Sequence, residues 1–402
     1  MTIPSFFDTE EYLQIPIMRK FLSDHDLKLD GNKSDLISKI EQYASENPQN
    51  TKEVEEWLMK IIREGTKEIC YRRIFGIKPE HRSVEYIDNK IKEKYPNCPM
   101  KSILDYENTG VSNLIEYDII KDQNNQVSKV TFIFSSFLLQ GNLNENGENV
   151  IFPVFIELLL DEEFIISRAK AKSTLFEFDD DNQFLISDDK INTMDYAVKF
   201  IDELLALFEL KSNKDKHTVV SNIHKMLYRI YTQYTFTPED VEKKVESQKE
   251  LISGFIGKLF EALNLDVRNK PKAVSDAKIL AEKYISINGE NEDIFKNDRD
   301  AYLIKVTSDD EQALSKIDAS SVKSVPLQCT EVFFDSKKAV VDSKTCRRLY
   351  LVFKRKGNIK FPKNNLLTVQ LGTHNNFGYV KLLNYAEECD IQNVLQAVFG
   401  NF

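Results

Sequence analysis

Glycine is scarce in this chain, with 13 in 402 residues. Neither G-x-x-x-x-G-K-[ST] nor G-x-G-x-x-G occurs, so no nucleotide cofactor is expected. The five cysteines, Cys70, Cys98, Cys329, Cys346 and Cys389, are scattered without a C-x-x-C pair. That spacing argues against a zinc site or a disulfide framework. No apolar run reaches 18 residues and no leader-like segment precedes the first helical pattern. A soluble, cytoplasmic chain with no membrane association is therefore expected. Catalytic sets are equally sparse. No Ser/His/Asp or Cys/His arrangement has a spacing rationale, and His217 and His224 share a helix face without a carboxylate beside them. Asp179-Asp180-Asp181 has the composition of a turn rather than a metal cluster. A metal-dependent nuclease would have to draw on Glu157, Asp161, Lys170 and Lys172, or on Asp298, Asp300 and Lys305. Neither group gives an Asp followed by Glu-x-Lys.

What is present is enough for real cores: 42% hydrophobic and 11% aromatic residues, in a length that suits two or three domains. The net charge of −10 disfavours nucleic acid in the sum but not in the distribution. Residues 1–101 hold 17 Lys/Arg and 18 Asp/Glu, so nearly all the acidic excess lies beyond them. Abundant Asn, Lys and Ile suit an AT-rich genome, a bacterium's or a phage's.

The most informative stretch is Ile17–Tyr43. Ile17, Phe21 and Leu22 mark one amphipathic helix; Leu36, Ile37 and Ile40 mark a second. Asn32 is placed to cap the second helix, with Asp35 at its third position. Between them, Leu27 and Leu29 are placed to plug the gap, and Gly31 suits a positive φ. Helix, Leu-Lys-Leu link, Gly-Asn-Lys, then helix with Asp-Leu-Ile resembles the SAP domain, a small helix-extension-helix module. Asp26 stands where that family usually has glycine. The resemblance covers less than a tenth of the chain and implies DNA binding. The residues agree: Lys28, Asn32 and Lys33 sit at a helix N-terminus that favours phosphate, and Arg19, Lys20 and Lys39 extend the face.

Further along, residues 51–73 read as a helix presenting Arg63, Lys67, Arg72 and Arg73, docking on the next domain. Strands are expected at 114–120, 127–139, 150–160, 164–170, 174–178 and 184–186, covered by a helix over 191–211. Helices follow at 217–231, 238–263 and 275–286, with Thr237 as N-cap and Pro238 at the first position of the second, and Ser275 as N-cap of the third. The 238–263 helix carries Leu251, Ile252, Phe255, Ile256, Leu259, Phe260 and Leu263, read first as core and second as a dimer seam. Strands return at 303–307, 331–334, 349–353, 366–371 and 378–383, closed by a helix at 390–398.

Residues 337–363 hold ten basic residues against Asp342 alone. Arg347 and Arg348 head a strand, Lys354, Arg355 and Lys356 occupy the expected hairpin tip, and Lys360 follows it, with Tyr350, Phe353 and Phe361 interleaved. A basic hairpin with aromatics suits phosphate contact.

The expectation is an α+β protein: a SAP-like module at 1–47, a helical linker at 51–111, an antiparallel sheet with a covering helix at 112–212, a helical section at 213–287, and a β-rich segment closed by a helix at 301–402. Its expected role is non-catalytic binding of duplex DNA, largely independent of sequence, in a nucleoid-associated setting of bacterial or phage genome defence or regulation. The alternatives are a scaffold that forms a homo-oligomer or meets a protein partner through 241–263, and a metal-dependent nuclease.

Overall fold

In the computed structural model, the described residues are 1–9, 12–105, 112–141, 148–178, 190–288, 293–297, 299–309, 316–357 and 365–400. The protein is α+β, and its paired strands are antiparallel. In chain order, α1 (Phe6–Thr9), α2 (Ile15–Asp24), α3 (Lys33–Glu46) and α4 (Pro48–Arg63) precede β1 (Lys67–Phe75) and α5 (Val84–Lys94). Then come β2 (Asn113–Lys121), β3 (Val127–Gln140), β4 (Glu148–Leu159), β5 (Phe164–Lys170), β6 (Leu175–Glu177), α6 (Thr193–Leu207) and β7 (Lys211–Ser212). The helical section is α7 (Lys216–Thr235), α8 (Glu239–Glu246), α9 (Lys249–Ala262) and α10 (Lys270–Ser286). The chain closes with β8 (Ala301–Asp309), β9 (Lys316–Ser320), α11 (Glu331–Ser343), β10 (Arg348–Lys354), β11 (Leu366–His374), β12 (Phe377–Leu382) and α12 (Glu388–Phe399).

Contacts divide these elements into two compact units. One comprises Met1–Val219, Arg355–Asn365 and His374–Gln392; the other comprises Val220–Lys354, Leu366–Thr373 and Asn393–Phe402. In the first unit the strands run β2-β3-β4-β5-β1-β12, with β6 on β3 and β7 on β1. Period-two alternation divides the side chains between two cores. Phe132 and Phe134 of β3 and Val154 and Ile156 of β4 pack with Phe200, Ile201 and Leu204 of α6. Their neighbours Ile133 and Phe155 point the other way, into a core built by Phe7, Met18, Leu22, Leu36, Leu58 and Ile62 of the N-terminal helices. The SAP-like stretch is thus one wall of this unit's core.

The helix expected over 51–73 ends at Arg63. Gly65 takes φ +98, and the following residues form β1, paired to β5 and β12 on its two sides. Of the four basic residues expected on the surface, Lys67 and Arg72 are buried, whereas Arg63 and Arg73 are exposed. On β1, Tyr71 lies opposite Gly378. A Cβ at 378 would come within 2.2 Å of the buried Tyr71 ring.

In the second unit the order is β11-β10-β8-β9. Here Arg299 fastens the end of α7, donating to the carbonyls of Tyr234 (2.7 Å) and Phe236 (2.6 Å) and to Gln328 Oε1 (2.7 Å). Burial lowers its pKa to about 10. Several sequence expectations change in this unit. Residues 331–334 open α11 instead of forming a strand, because Phe333, Phe334 and Val340 recur at helical spacing and are buried together. The 238–263 helix is two helices, α8 and α9, broken at Ser247-Gln248. Pro238 stands at the N-cap of α8, and Thr237 Oγ1 donates to Glu282 instead of capping. Ser275 is interior to α10, which starts five residues earlier with Pro271 in its first turn. The 184–186 strand lies outside the described residues.

Gly378→Ala should lower the unfolding free energy by about 1–3 kcal/mol through overpacking against Tyr71. A urea titration of the full chain reads this, and an unchanged midpoint would contradict the register of β1 on β12.

Candidate nucleic-acid interface

Each part of the helix-extension-helix follows from its residues. The end of α2 turns at Asp26, which takes φ +56, the left-handed conformation that the family's glycine would supply. The Leu27 amide closes back on the Leu22 carbonyl at 2.8 Å, the long bond of a Schellman turn, and Leu27 packs on the adjoining core. Leu29, expected to plug the gap with it, is instead 42% exposed. Gly31 takes φ +107, where a Cβ would meet Asp35 at 2.6 Å. Asn32 and Asp35 form a reciprocal capping box: the Asp35 amide donates to Asn32 Oδ1 (3.0 Å), and the Asn32 amide donates to Asp35 Oδ2 (2.9 Å). Leu36 and Ile40 then point into the core.

The charges on this module are more balanced than a basic face would be. Residues 15–46 hold five Lys/Arg and six Asp/Glu. Lys20 pairs with Asp24 at 2.8 Å. Lys39 pairs with Asp30 at 2.8 Å, and its hydrogen bond holds that carboxyl below the usual range. Arg19 and Lys28 project into solvent, and Lys33 is half-buried at the first position of α3.

The structure disperses the C-terminal basic run. Lys337 and Lys338 lie on α11, pairing with Glu282 (2.8 Å) and Asp276 (3.5 Å). Arg347 and Arg348 are exposed at the head of β10. Lys354 donates to the Asn297 carbonyl (3.0 Å). The β10–β11 hairpin forms as expected, Lys354 opposite Leu366. Arg355, however, has a buried side chain 3.7 Å from buried Asp390. Burial lowers its pKa, opposed by the Asp390 charge. A guanidinium held there cannot meet a phosphate. Lys356 is exposed, its amide bonded to Asp390 (2.6 Å). Asn358, Lys360, Phe361 and Lys363 lie outside the described residues.

Several of the side chains considered for catalysis are occupied, while Asp179–Asp181 and Asp298 lie outside the described residues. Glu157 pairs with Lys129 (2.8 Å) and lies 3.8 Å from Arg168. Asp161 pairs with Arg82, and Lys305 pairs with Asp318. Lys170 stands 4.6 Å over the Tyr12 ring. Lys172 donates to Gln140 (2.7 Å), and burial lowers its pKa to about 8. Among the described residues no three His, Cys, Asp or Glu side chains converge as metal ligands, and none of the five cysteines is in a disulfide. His224 faces Thr373 at 3.4 Å.

A feature the sequence reading missed is a buried charged cluster where α4 meets β1. Glu64 accepts from the Glu388 amide (2.9 Å) and the Tyr385 hydroxyl (3.1 Å), and burial raises its pKa. Lys67, 1% exposed, donates to the Ile62 carbonyl at 2.6 Å. Burial, reinforced by Lys170 and Arg168, pushes its pKa well down. Arg168 forks onto both oxygens of Glu388. Burial raises the Glu388 pKa, but the Arg168 charge and hydrogen bond bring it below the ordinary value. The period-two charges Arg168-Ala-Lys170-Ala-Lys172 were the one sequence signal of this cluster. It borders a cleft of about 740 Å³ lined by Lys60, Arg63, Lys129, Glu157 and Glu388, among others.

Comparison with known protein families, with curated proteins and with solved structures finds no match to this chain. Among the described residues, no helix is long and apolar enough to cross a membrane.

Lys67 gives a pH test. Its pKa is depressed in the folded chain, so the unfolded state binds the extra proton. Its burial therefore costs stability at neutral pH, and the cost fades as pH rises toward the unfolded value of about 10.4. The stability of wild type minus that of Lys67→Met should rise between neutral pH and about pH 10, read by urea unfolding at each pH. A flat difference would contradict the assignment.

Proposed function

We propose that this chain binds duplex DNA, largely without regard to sequence, through the helix-extension-helix at residues 15–46. The observation that carries the reading is local. The residues that resemble the SAP family form the turn, left-handed glycine and capped second helix that the resemblance implies, with Asp26 taking the missing glycine's conformation. Arg19 and Lys28 are exposed there, and the N-terminus of α3 opens to solvent at Gly31, Asn32 and Ser34. Backbone amides and the helix dipole at such an end favour a phosphate. Lys20 and Lys39 hold surface ion pairs, which are weak and exchangeable.

With acids as numerous as bases on the module, the grip is weak and strongly dependent on salt. Exposed Arg347 and Arg348 supply a second set of cations, and two weak contacts on one chain gain through effective concentration. Arg355 has no part in it. The inferred setting is a DNA-associated role in bacterial or phage genome defence or regulation, without catalysis by this chain.

The test is fluorescence anisotropy with a short labelled duplex over a salt series. Lys28→Ala/Lys33→Ala should weaken binding and flatten the slope of log K against log salt by roughly one unit per lost phosphate contact. Arg347→Ala/Arg348→Ala should do the same to a smaller extent. Absence of wild-type binding at low salt would end the DNA reading. Activity on the duplex that needs a divalent metal would replace it with the nuclease alternative.

A further inference from the structure

The apolar stripe of helix α9, which suits core first and a dimer seam second on sequence, is buried only on its inner face. Ile256 and Phe260 are buried, whereas Leu251 is 70% exposed, Phe255 62% and Leu263 59%, with Leu259 also exposed. The stripe continues past the helix end, where Leu265 and Val267 are exposed as well. Isolated surface leucines are ordinary, but a contiguous apolar row of this size marks an interaction surface.

We propose that this face binds the same face of a second copy of the chain. Three observations select that occupant. Leu251, Phe255, Leu259 and Leu263 recur at every fourth residue, forming an i±4n ridge. Two such ridges interdigitate when like helices cross at about −50°, the commonest helix packing. The row is also symmetric about the midpoint between Phe255 and Leu259. A two-fold axis there sets Phe255 toward the partner copy's Leu259 and Leu251 toward its Leu263, as an isologous interface requires. Lastly, the charges beside the row are Lys249, Glu250, Lys258 and Glu261, two of each sign. Self-pairing therefore brings no net like charge together, although the chain carries −10 overall. A single helix face is small beside the interfaces of specific, stable complexes. The dimer is thus of modest affinity and dissociates on dilution. The pairing does not depend on DNA.

The experiment is sedimentation velocity of the full chain over a concentration series, wild type beside Phe255→Glu/Leu259→Glu. Both substituted side chains are exposed, so the variant should keep the wild-type circular dichroism spectrum and melting temperature. Wild type should shift from the 46.6 kDa chain mass toward twice that value as concentration rises, and the variant should stay at one chain. As a second variant, Leu251→Glu alone should move the midpoint of association upward by about tenfold or more. A wild type that stays monomeric throughout would overturn the proposal, as would a dimer that survives both variants.

Discussion

The first unit depends on how α4 ends. At Glu64-Gly65 the chain leaves the helix and enters β1. The Gly65 amide bonds the Ala386 carbonyl at 2.9 Å, and Glu64 is held by Tyr385 and the Glu388 amide. Lys67 reaches back to the Ile62 carbonyl, satisfying one of the acceptors that a helix end leaves open. These charged groups are buried, so each would be costly without its partners. Leaving one of them unpaired would cost several kcal/mol. Together they fix the direction in which the chain enters the strand, and with it the placement of α1–α4 against Ile133 and Phe155.

That constraint bears on function. A SAP-like module is pictured from sequence as a small bead ahead of a linker. Here Met18, Leu22, Leu36 and Ile40 share one core with α4 and the sheet. The segment that would grip DNA is held by the largest body of the chain and has little independent freedom. Binding then costs little ordering of the module. The electrostatics work in the opposite direction. Asp35 already answers part of the positive end of α3 through the capping box, and Asp24 and Asp30 occupy Lys20 and Lys39. On the proposed reading, affinity for DNA would draw on exposed Arg19 and Lys28, on the N-terminus of α3 and on other patches.

The parts legible in the sequence were those written by local rules. The capping box at Asn32 and Asp35, the positive φ of Gly31, and the strands at 127–139 and 164–170 all follow from short-range pattern. What failed to show was decided at long range. β1 begins K-E-I-C-Y-R-R, and its polar positions look solvated until Glu68 and Arg72 find partners more than a hundred residues away in sequence and Lys67 turns back to the end of α4. Arg355 follows β10 as its position in the sequence implies, but its side chain is buried beside Asp390, 35 positions downstream, which no local pattern shows. The α9 stripe failed in the opposite direction. Its periodicity gave the helix, but apolar spacing alone cannot say whether the neighbour belongs to the same chain.

The most direct measurement is hydrogen–deuterium exchange of the full chain with and without a short duplex at low salt. The account requires slower exchange at the Arg19 region of α2 and at Lys28–Asp35, with a smaller effect around Arg347 and Arg348 and the inner face of α6 unchanged. Protection that appears elsewhere and leaves Lys28–Asp35 untouched would contradict the claim that this module is where the protein meets DNA.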